Sequence, residues 1–371
     1  MCRFVFLGTA LFCQLLLSMN AFSDIVPFES DRWEFQAAES KFVNYLDRPS
    51  IYLKGGLAIA KGSQFSDGII EFDVAFSQER NFVGTFWRMQ DRENYEEFYI
   101  RPHQSGNPDA NQYEPIFNGM AAWQLYYGEG YGAPVQYKFN EWNHVKLVIS
   151  GKQADVYIND MNTPVLFVSD QKREIKPGKV GLSVSNFAPA YYSNFSFNEL
   201  NNPPLKGKAK ALDPPPQGTI TTWMISNPIA SKSLDKKYEL SASDKENLAW
   251  KKLDSENSGL TNIARLYGVN EETDTVYARL VIESEQEQIK KMRFGFSDAV
   301  KTYLNDSLIY GGSDGYRSRD YRFLGTMGYY DELYLPLKKG TNELWIAVTE
   351  NFGGWGIQAI IEDQEGISIR E

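Results

Sequence analysis

The chain is 371 residues long, carries 48 acidic against 38 basic side chains for a formal charge of −10, and contains two cysteines and two histidines. That balance argues against nucleic acid and anionic membranes as partners, because phosphate backbones and headgroups attract a positive face. At this length two domains are expected, each able to bury its own core without staples.

Arg3, the apolar run Phe4 to Leu17 and the small-x-small triplet Ala21-Phe22-Ser23 have the layout of a secretory signal peptide over residues 1–23. The run is shorter than the roughly 20 residues of a spanning helix. Cys13 lies inside it, where it cannot serve as a lipoprotein anchor. A secreted or periplasmic, soluble protein without a membrane anchor is expected, cleaved near Ser23 and starting at Asp24. Loss of Arg3 takes the formal charge from −10 to −11. Cys2 and Cys13 leave with the segment, so no disulfide, thiolate nucleophile or cysteine metal ligand remains, and two histidines suit a zinc centre poorly. No cofactor and no metal are expected, although structural calcium held by Asp, Asn and backbone oxygens is compatible with sandwich loops.

From Asp24 to residue 199 the dominant signal is period two. Ile70, Phe72, Val74 and Phe76 alternate with Ile69, Glu71, Asp73 and Ala75; Val145, Leu147 and Ile149 alternate with His144, Lys146 and Val148. The run Asn94 to His103 sets Tyr95, Glu97, Tyr99, Arg101 and His103 on one side of a strand and sends Phe98 and Ile100 into a core. Trp87 and Arg88 end a preceding strand, Tyr113 and Asn118 fall in the loop after His103, and Trp123, Gln124, Tyr126 and Tyr127 form an aromatic strand. Gly128 to Gly132 reads as a long loop, since no helix pattern follows and Pro134 intervenes.

Residues 200–217 contain five prolines and almost no apolar periodicity, which marks an extended linker. Period two resumes in 218–371, where Val276, Ala278, Leu280 and Ile282 and later Leu344, Ile346 and Val348 alternate with their neighbours. Residues 232–258 are polar and read as a surface excursion with at most a short helix. Tyr157-Ile158-Asn159-Asp160 and Tyr303-Leu304-Asn305-Asp306 are each a strand entering an Asn/Asp turn. The fold class is all-β: two β-sandwich (jelly-roll) domains joined by a Pro-rich linker.

Five dispersed segments carry a family likeness: Ser66 to Val74, Phe82 to Arg88, Tyr95 to His103, Trp142 to Leu147 and Gly178 to Leu182. Through them residues 65–198 resemble the concanavalin A-like jelly rolls of the LamG and 3-keto-disaccharide hydrolase (DUF1080) families of secreted bacterial proteins. The resemblance implies a two-sheet sandwich whose concave face or rim contacts glycans, with sugar hydrolysis in some members. Residues 218–371 resemble, more loosely, the galactose-binding-type jelly rolls that accompany glycoside hydrolases, through Tyr303 to Asp306 and Asn351 to Gly356.

Carbohydrate is thus the expected partner, with Trp87, Arg88, Tyr95, Tyr99, Arg101, Tyr113, Trp123 and Gln124 as candidate binding residues. Aromatic faces stack on the C–H side of a pyranose, and Arg, Gln, Asn and Glu bond its hydroxyls; the competing role for each ring is core packing. Binding ranks first. The alternative is a glycoside hydrolase acting on disaccharides, 3-keto ones included, or polysaccharide fragments, with His103 and Glu97 as catalytic candidates beside Arg101. Six positions along one strand put Glu97 and His103 about 20 Å apart, so they form no dyad unaided. Glu71-Phe72-Asp73 is similar to the Glu-x-Asp core of laminarinase-type glycosidases, but Ala75 and Phe76 stand where a further carboxylate belongs. His144 reads as a packed or edge residue. In the second domain Tyr316 to Phe323 and Glu350 to Gly356 are candidates for contact, with Trp355 at a loop rim or in the core. A protein-interaction or adhesion module is a third class on the same fold. Nothing in the sequence signals an oligomeric state.

Overall fold

The computed structural model describes residues 25–208 and 214–370. The signal-peptide expectation, with Cys2 and Cys13, lies outside the described residues. No helix among those described is long and apolar enough to cross a membrane.

Eleven strands build the first sandwich: β1 (Trp33–Tyr45), β2 (Arg48–Ala60), β3 (Gly68–Ala75), β4 (Val83–Asp91), β5 (Asn94–Ile100), β6 (Asn111–Ile116), β7 (Asn143–Ser150), β8 (Gln153–Ile158), β9 (Leu166–Val168), β10 (Lys179–Val184) and β11 (Ala190–Glu199). Their order is β6-β5-β4-β10-β2-β11-β3-β7-β8-β9, with β1 paired to β2. The hydrogen bonding is continuous because β2 belongs to both layers. Its first half pairs with β11 and its second half with β10. Between the halves the inward parity switches: Ile51 and Leu53 enter the core on one side, Ala58 and Ala60 on the other. Gly55 and Gly56, both at positive φ, make the switch, and a Cβ on Gly56 would stand 2.2 Å from the Gln36 carbonyl oxygen.

Alternation along β5 then does what the sequence leads one to expect. Phe98 and Ile100 join Phe72, Val74, Leu147 and Leu182 in the core between the layers. Asn159, Asn305 and Asp306 adopt positive φ at the ends of their strands, the conformation their short polar side chains tolerate.

The second sandwich comprises β12 (Thr222–Ser226), β13 (Trp250–Asp254), β14 (Thr261–Asn262), β15 (Thr275–Ser284), β16 (Gln288–Ser297), β17 (Ala299–Leu304), β18 (Ser307–Ser313), β19 (Asp331–Leu337), β20 (Gly340–Thr349), β21 (Gly356–Ile360) and β22 (Ile367–Arg370). One sheet runs β13-β12-β15-β20-β17-β18 with β22 on β15, the other β14-β21-β16-β19. Val276, Ala278, Leu280 and Ile282 meet Met292, Phe294 and Phe296 between them. The segment expected as a surface excursion is a cover as well: Leu234 and Leu240 pack on Tyr277, Tyr303 and Trp345 on the outer side of the sheet.

The two sandwiches are in direct contact. Part of the proline-rich segment docks on the first, the Lys206 and Gly207 amides donating to the Asp155 carboxylate at 2.6 and 3.1 Å. The loop after β6 docks on the second. Gln124 Nε2 donates to the Leu324 carbonyl at 2.7 Å, the Gln124 amide donates to the Gly353 carbonyl at 3.0 Å, and the Met327 amide donates to the Gln124 carbonyl at 2.9 Å. Lys172 pairs with Glu256 at 2.7 Å across the same junction.

Candidate functional site

The layer formed by β6, β5, β4, β10 and the end of β2 has a solvent-facing side, and its register decides which groups gather there. Directly opposite residues of adjacent strands share a face. The pairs Glu114↔Glu97, Gln112↔Tyr99, Glu97↔Phe86, Tyr99↔Gly84, Gly84↔Ser183 and Ser183↔Leu57 carry one face across five strands. A cleft of about 410 Å³ opens over it, lined among others by Tyr95, Glu97, Tyr99, Glu114, Trp123, Ser183 and, from the second sandwich, Phe352. Leu57 and Tyr95 make one side of its floor apolar, backed by the buried Ile59, Phe86 and Met89.

On the polar side two carboxyl groups face each other. Glu114 is 4% exposed and accepts the Ala122 amide at 2.8 Å; Glu97 is half-buried. No basic side chain pairs with either within salt-bridge distance among the described residues. Burial pushes the Glu97 carboxyl up to about 7, against a hydrogen bond from Ser183. Burial, reinforced by the charge of Glu97, pushes Glu114 up to about 8, against the Ala122 and Trp123 amides and the charge of Arg101. The pair therefore shares protons near neutrality, the range in which a carboxyl serves as acid or base.

Arg101 lies just beyond β5 and is almost wholly buried. Its guanidinium donates to the Tyr99 hydroxyl at 2.9 Å, the Asp109 carbonyl at 3.0 Å and Gln112 Oε1. Gln112 in turn donates to the Trp123 carbonyl at 3.0 Å. This chain of bonds ties the end of β5 to the loop that carries Trp123.

Several sequence expectations are corrected. Trp87 is 1% exposed on the core face and donates to Gln171 Oε1 at 2.8 Å. Arg88 is sealed under the sandwich, bound to Asp67, the Ser66 carbonyl and the Gly151 carbonyl. Tyr113 points inward from β6 and donates to Glu96 Oε2 at 2.7 Å. None of the three lines the cleft: parity turns Trp87 and Tyr113 to the core, and Arg88 leaves the strand face at a positive φ of 51°, where the β4–β5 register shifts. Gln124 is fully buried in the junction, and residues 121–134 form turns in place of an aromatic strand, the Leu125 and Tyr126 amides both closing on the Ala122 carbonyl.

His103 leaves the strand face because Pro102 opens a single 3₁₀ turn over Pro102–Gln104. Its ring meets Phe82 edge-on at 5.6 Å behind the cleft wall, and burial, then the charges of Arg80 and Arg101, hold its pKa down. Trp355 is in the core, donating to the Val348 carbonyl at 3.1 Å.

Glu71, Asp73 and His144 sit on the outer side of the opposite layer. His144 bridges the carboxylates, Nδ1 to Asp73 at 2.7 Å and Nε2 to Glu71 at 2.8 Å, while Arg48 and Asn194 each reach Asp73 at 2.7 Å. With both ring nitrogens on carboxylates, the imidazole is held protonated, its pKa raised to about 9 by those hydrogen bonds. This network satisfies itself and faces away from the cleft.

Sequence reasoning missed Glu114 and Ser183, and it named Phe352 among the second domain's contact candidates without placing it beside Glu97. The one local signal was the alternation of Gln112, Glu114 and Ile116 with Asn111, Tyr113 and Pro115, which marks β6 but does not say what lies opposite.

Residues 48–198 match the model of the 3-keto-alpha-glucoside-1,2-lyase-like domain. No curated protein matches the chain. Among solved structures, the carbohydrate-binding module CBM66 from Bacillus subtilis is similar at 16% identity, covering 44% of this chain and 93% of its own, with a TM-score of 0.34. The β-glucanase of Bacillus licheniformis is similar at 10% identity, covering 47% and 95% respectively, with a TM-score of 0.33.

Proposed function

With a 3-keto-alpha-glucoside-1,2-lyase-like domain in its first sandwich, we propose that this protein takes an oligosaccharide into the cleft above Glu97 and Glu114 and breaks a glycosidic bond there by acid–base chemistry. The observation that carries the reading is the pair itself: two carboxyls in register across β5 and β6 on the floor of an open cleft, pushed up by burial to about 7 and about 8. Carboxyls can also bond sugar hydroxyls in a binding site, but a pair pushed up toward neutrality with no salt-bridge partner among the described residues is suited to giving and taking protons. For that reason cleavage is ranked ahead of binding, the reverse of the order the sequence suggests.

On a 3-keto sugar the hydrogen at C2 is acidified by the adjacent carbonyl. Glu97, the more readily ionised of the two, takes that proton. The electron pair of the C2–H bond forms the C1–C2 double bond, the C1–O bond breaks, and the leaving oxygen takes the proton of Glu114. Glu97 ends protonated and Glu114 ionised, and exchange with solvent restores both. Tyr95 and Phe352 offer apolar surface to the sugar ring, and the Ser183 hydroxyl is a candidate for one of its oxygens. The N-terminal Arg3 and its apolar run support action on glycan outside the cytoplasm.

The test is incubation of the chain with 3-keto and ordinary disaccharides, following both retention and product. An unsaturated or reducing product that falls at least about 100-fold in Glu97→Gln and Glu114→Gln is expected for loss of a general acid or base. Retention without product would return binding to first place, and neither retention nor product would overturn the reading.

A further inference from the structure

Phe352 is 52% exposed, yet its backbone is pinned on all sides. Asp298 Oδ2 accepts the amides of both Asn351 and Phe352, at 2.9 and 2.8 Å; Glu350 Oε1 accepts the Gly354 amide at 3.0 Å; and the Gly353 carbonyl accepts the Gln124 amide at 3.0 Å. Gly353 and Gly354, at φ +108° and +140°, make a turn that other residues strain to adopt. A large apolar ring held half in water on so rigid a mount adds little to folding and reads as a contact surface.

Its neighbours point the same way. The Phe352 ring lies 5.7 Å from Trp123 of the first sandwich and 6.3 Å from Tyr316 of the second, each edge-on. Phe352 lines the cleft over Glu97 and Glu114. It also lines a second hollow of about 470 Å³ on the second sandwich, bounded by Tyr316, Ser313, Ser318, Thr349 and Asn351. The two hollows meet at this one ring. The second offers what the first does, apolar ring surface beside hydroxyl and amide groups.

We propose that the hollow on the second sandwich is a sugar-binding subsite continuous with the cleft. It takes the ring or rings beyond the reacting sugar, stacked on Phe352 and Tyr316, with their hydroxyls bonded by Ser318 and Asn351. The substrate is then an oligosaccharide of two or more rings that spans both sandwiches, and the second sandwich sets the length preference. This rests on the cleft being the carbohydrate site.

The test measures binding by calorimetry of gluco-oligosaccharides of one to four rings to the full chain carrying Glu97→Gln, with and without Phe352→Ala or Tyr316→Ala. Affinity is expected to rise at least about tenfold between one ring and three, and each aromatic variant is expected to remove most of that rise. Thermal unfolding midpoints close to that of the parent are expected, because both rings are solvent-exposed. A length gain that survives both variants, or no gain at all while single rings bind, overturns the subsite and leaves the cleft reading standing. No binding of any length by the parent overturns both.

Discussion

Gln124 of the first sandwich donates its side-chain N–H to the Leu324 carbonyl of the second at 2.7 Å, from a position with no solvent exposure. The same residue's backbone clasps Gly353 and Met327, so one residue ties the loop of Trp123 to the turn of Phe352. The cleft is thereby walled from both sandwiches.

Gln124→Ala leaves the half-buried Leu324 carbonyl without its donor, which costs about 1 kcal/mol. A lower midpoint in urea unfolding is expected, with the larger effect on the second sandwich's side of the junction seen as faster amide exchange at Met327 and Gly354. Unchanged exchange there would show that the junction is held elsewhere.

The pH dependence follows from the two carboxyls. Glu97 must be ionised to accept a proton and Glu114 protonated to give one, so turnover rises as pH passes about 7 and falls as it passes about 8. Glu97→Gln removes a charge that raises Glu114 and moves the Glu114 carboxyl down, measurable by carbon-detected NMR titration. A rate that is flat from pH 5 to 9 would remove both from the chemistry.

The same pair destabilises the fold at alkaline pH. Each folded-state pKa lies above its unfolded value of 4.5, so the favourable contribution of the neutral carboxyl is full below pH 4.5 and is lost as pH rises through about 7 and about 8. Glu114→Gln is expected to raise the thermal midpoint at pH 9 and to leave it nearly unchanged at pH 4. Equal midpoints for the two proteins at pH 9 would contradict the burial argument.

His144 has the opposite surroundings and the same sign. Its folded pKa, about 9 against an unfolded 6.5, makes its bridge fully stabilising below pH 6.5 and lost as pH rises through 9. Asp73 is held below its usual value, burial opposing and the His144 and Asn194 hydrogen bonds prevailing, so its share is lost as acid protonates it. The imidazole is partly exposed and screened, and His144→Gln is expected to cost only about 1 kcal/mol, at pH 6 and much less at pH 10. A loss of glycan turnover in this variant would place the network in the function, contrary to its position.

Trp87 and Tyr95 separate stability from binding. Trp87→Ala opens the core and is expected to cost about 3–5 kcal/mol, seen in chemical denaturation. Tyr95→Ala, on the cleft floor, is expected to weaken sugar affinity several-fold with little effect on unfolding. The reverse pattern would show that the parity assigned to β4 and β5 is inverted.

The alternation of Tyr95, Glu97 and Tyr99 with Phe98 and Ile100 was legible in the sequence, as were the all-β class and the turns at Asn159 and Asn305, because each depends on neighbours a few residues apart. Trp87 and Tyr113 were misplaced since a one-residue choice of parity sends a strand's side chains to the other face, and composition alone does not make that choice. His103 lost its place to Pro102, a local event that the strand pattern concealed. What only the tertiary structure decided is the company that Glu97 keeps. Glu114 stands opposite it through the pairing of β5 with β6, and Phe352 arrives from the second sandwich through the Gln124 junction. Register and docking are long-range outcomes of packing, set by which apolar faces bury together, and a single strand's sequence does not contain them.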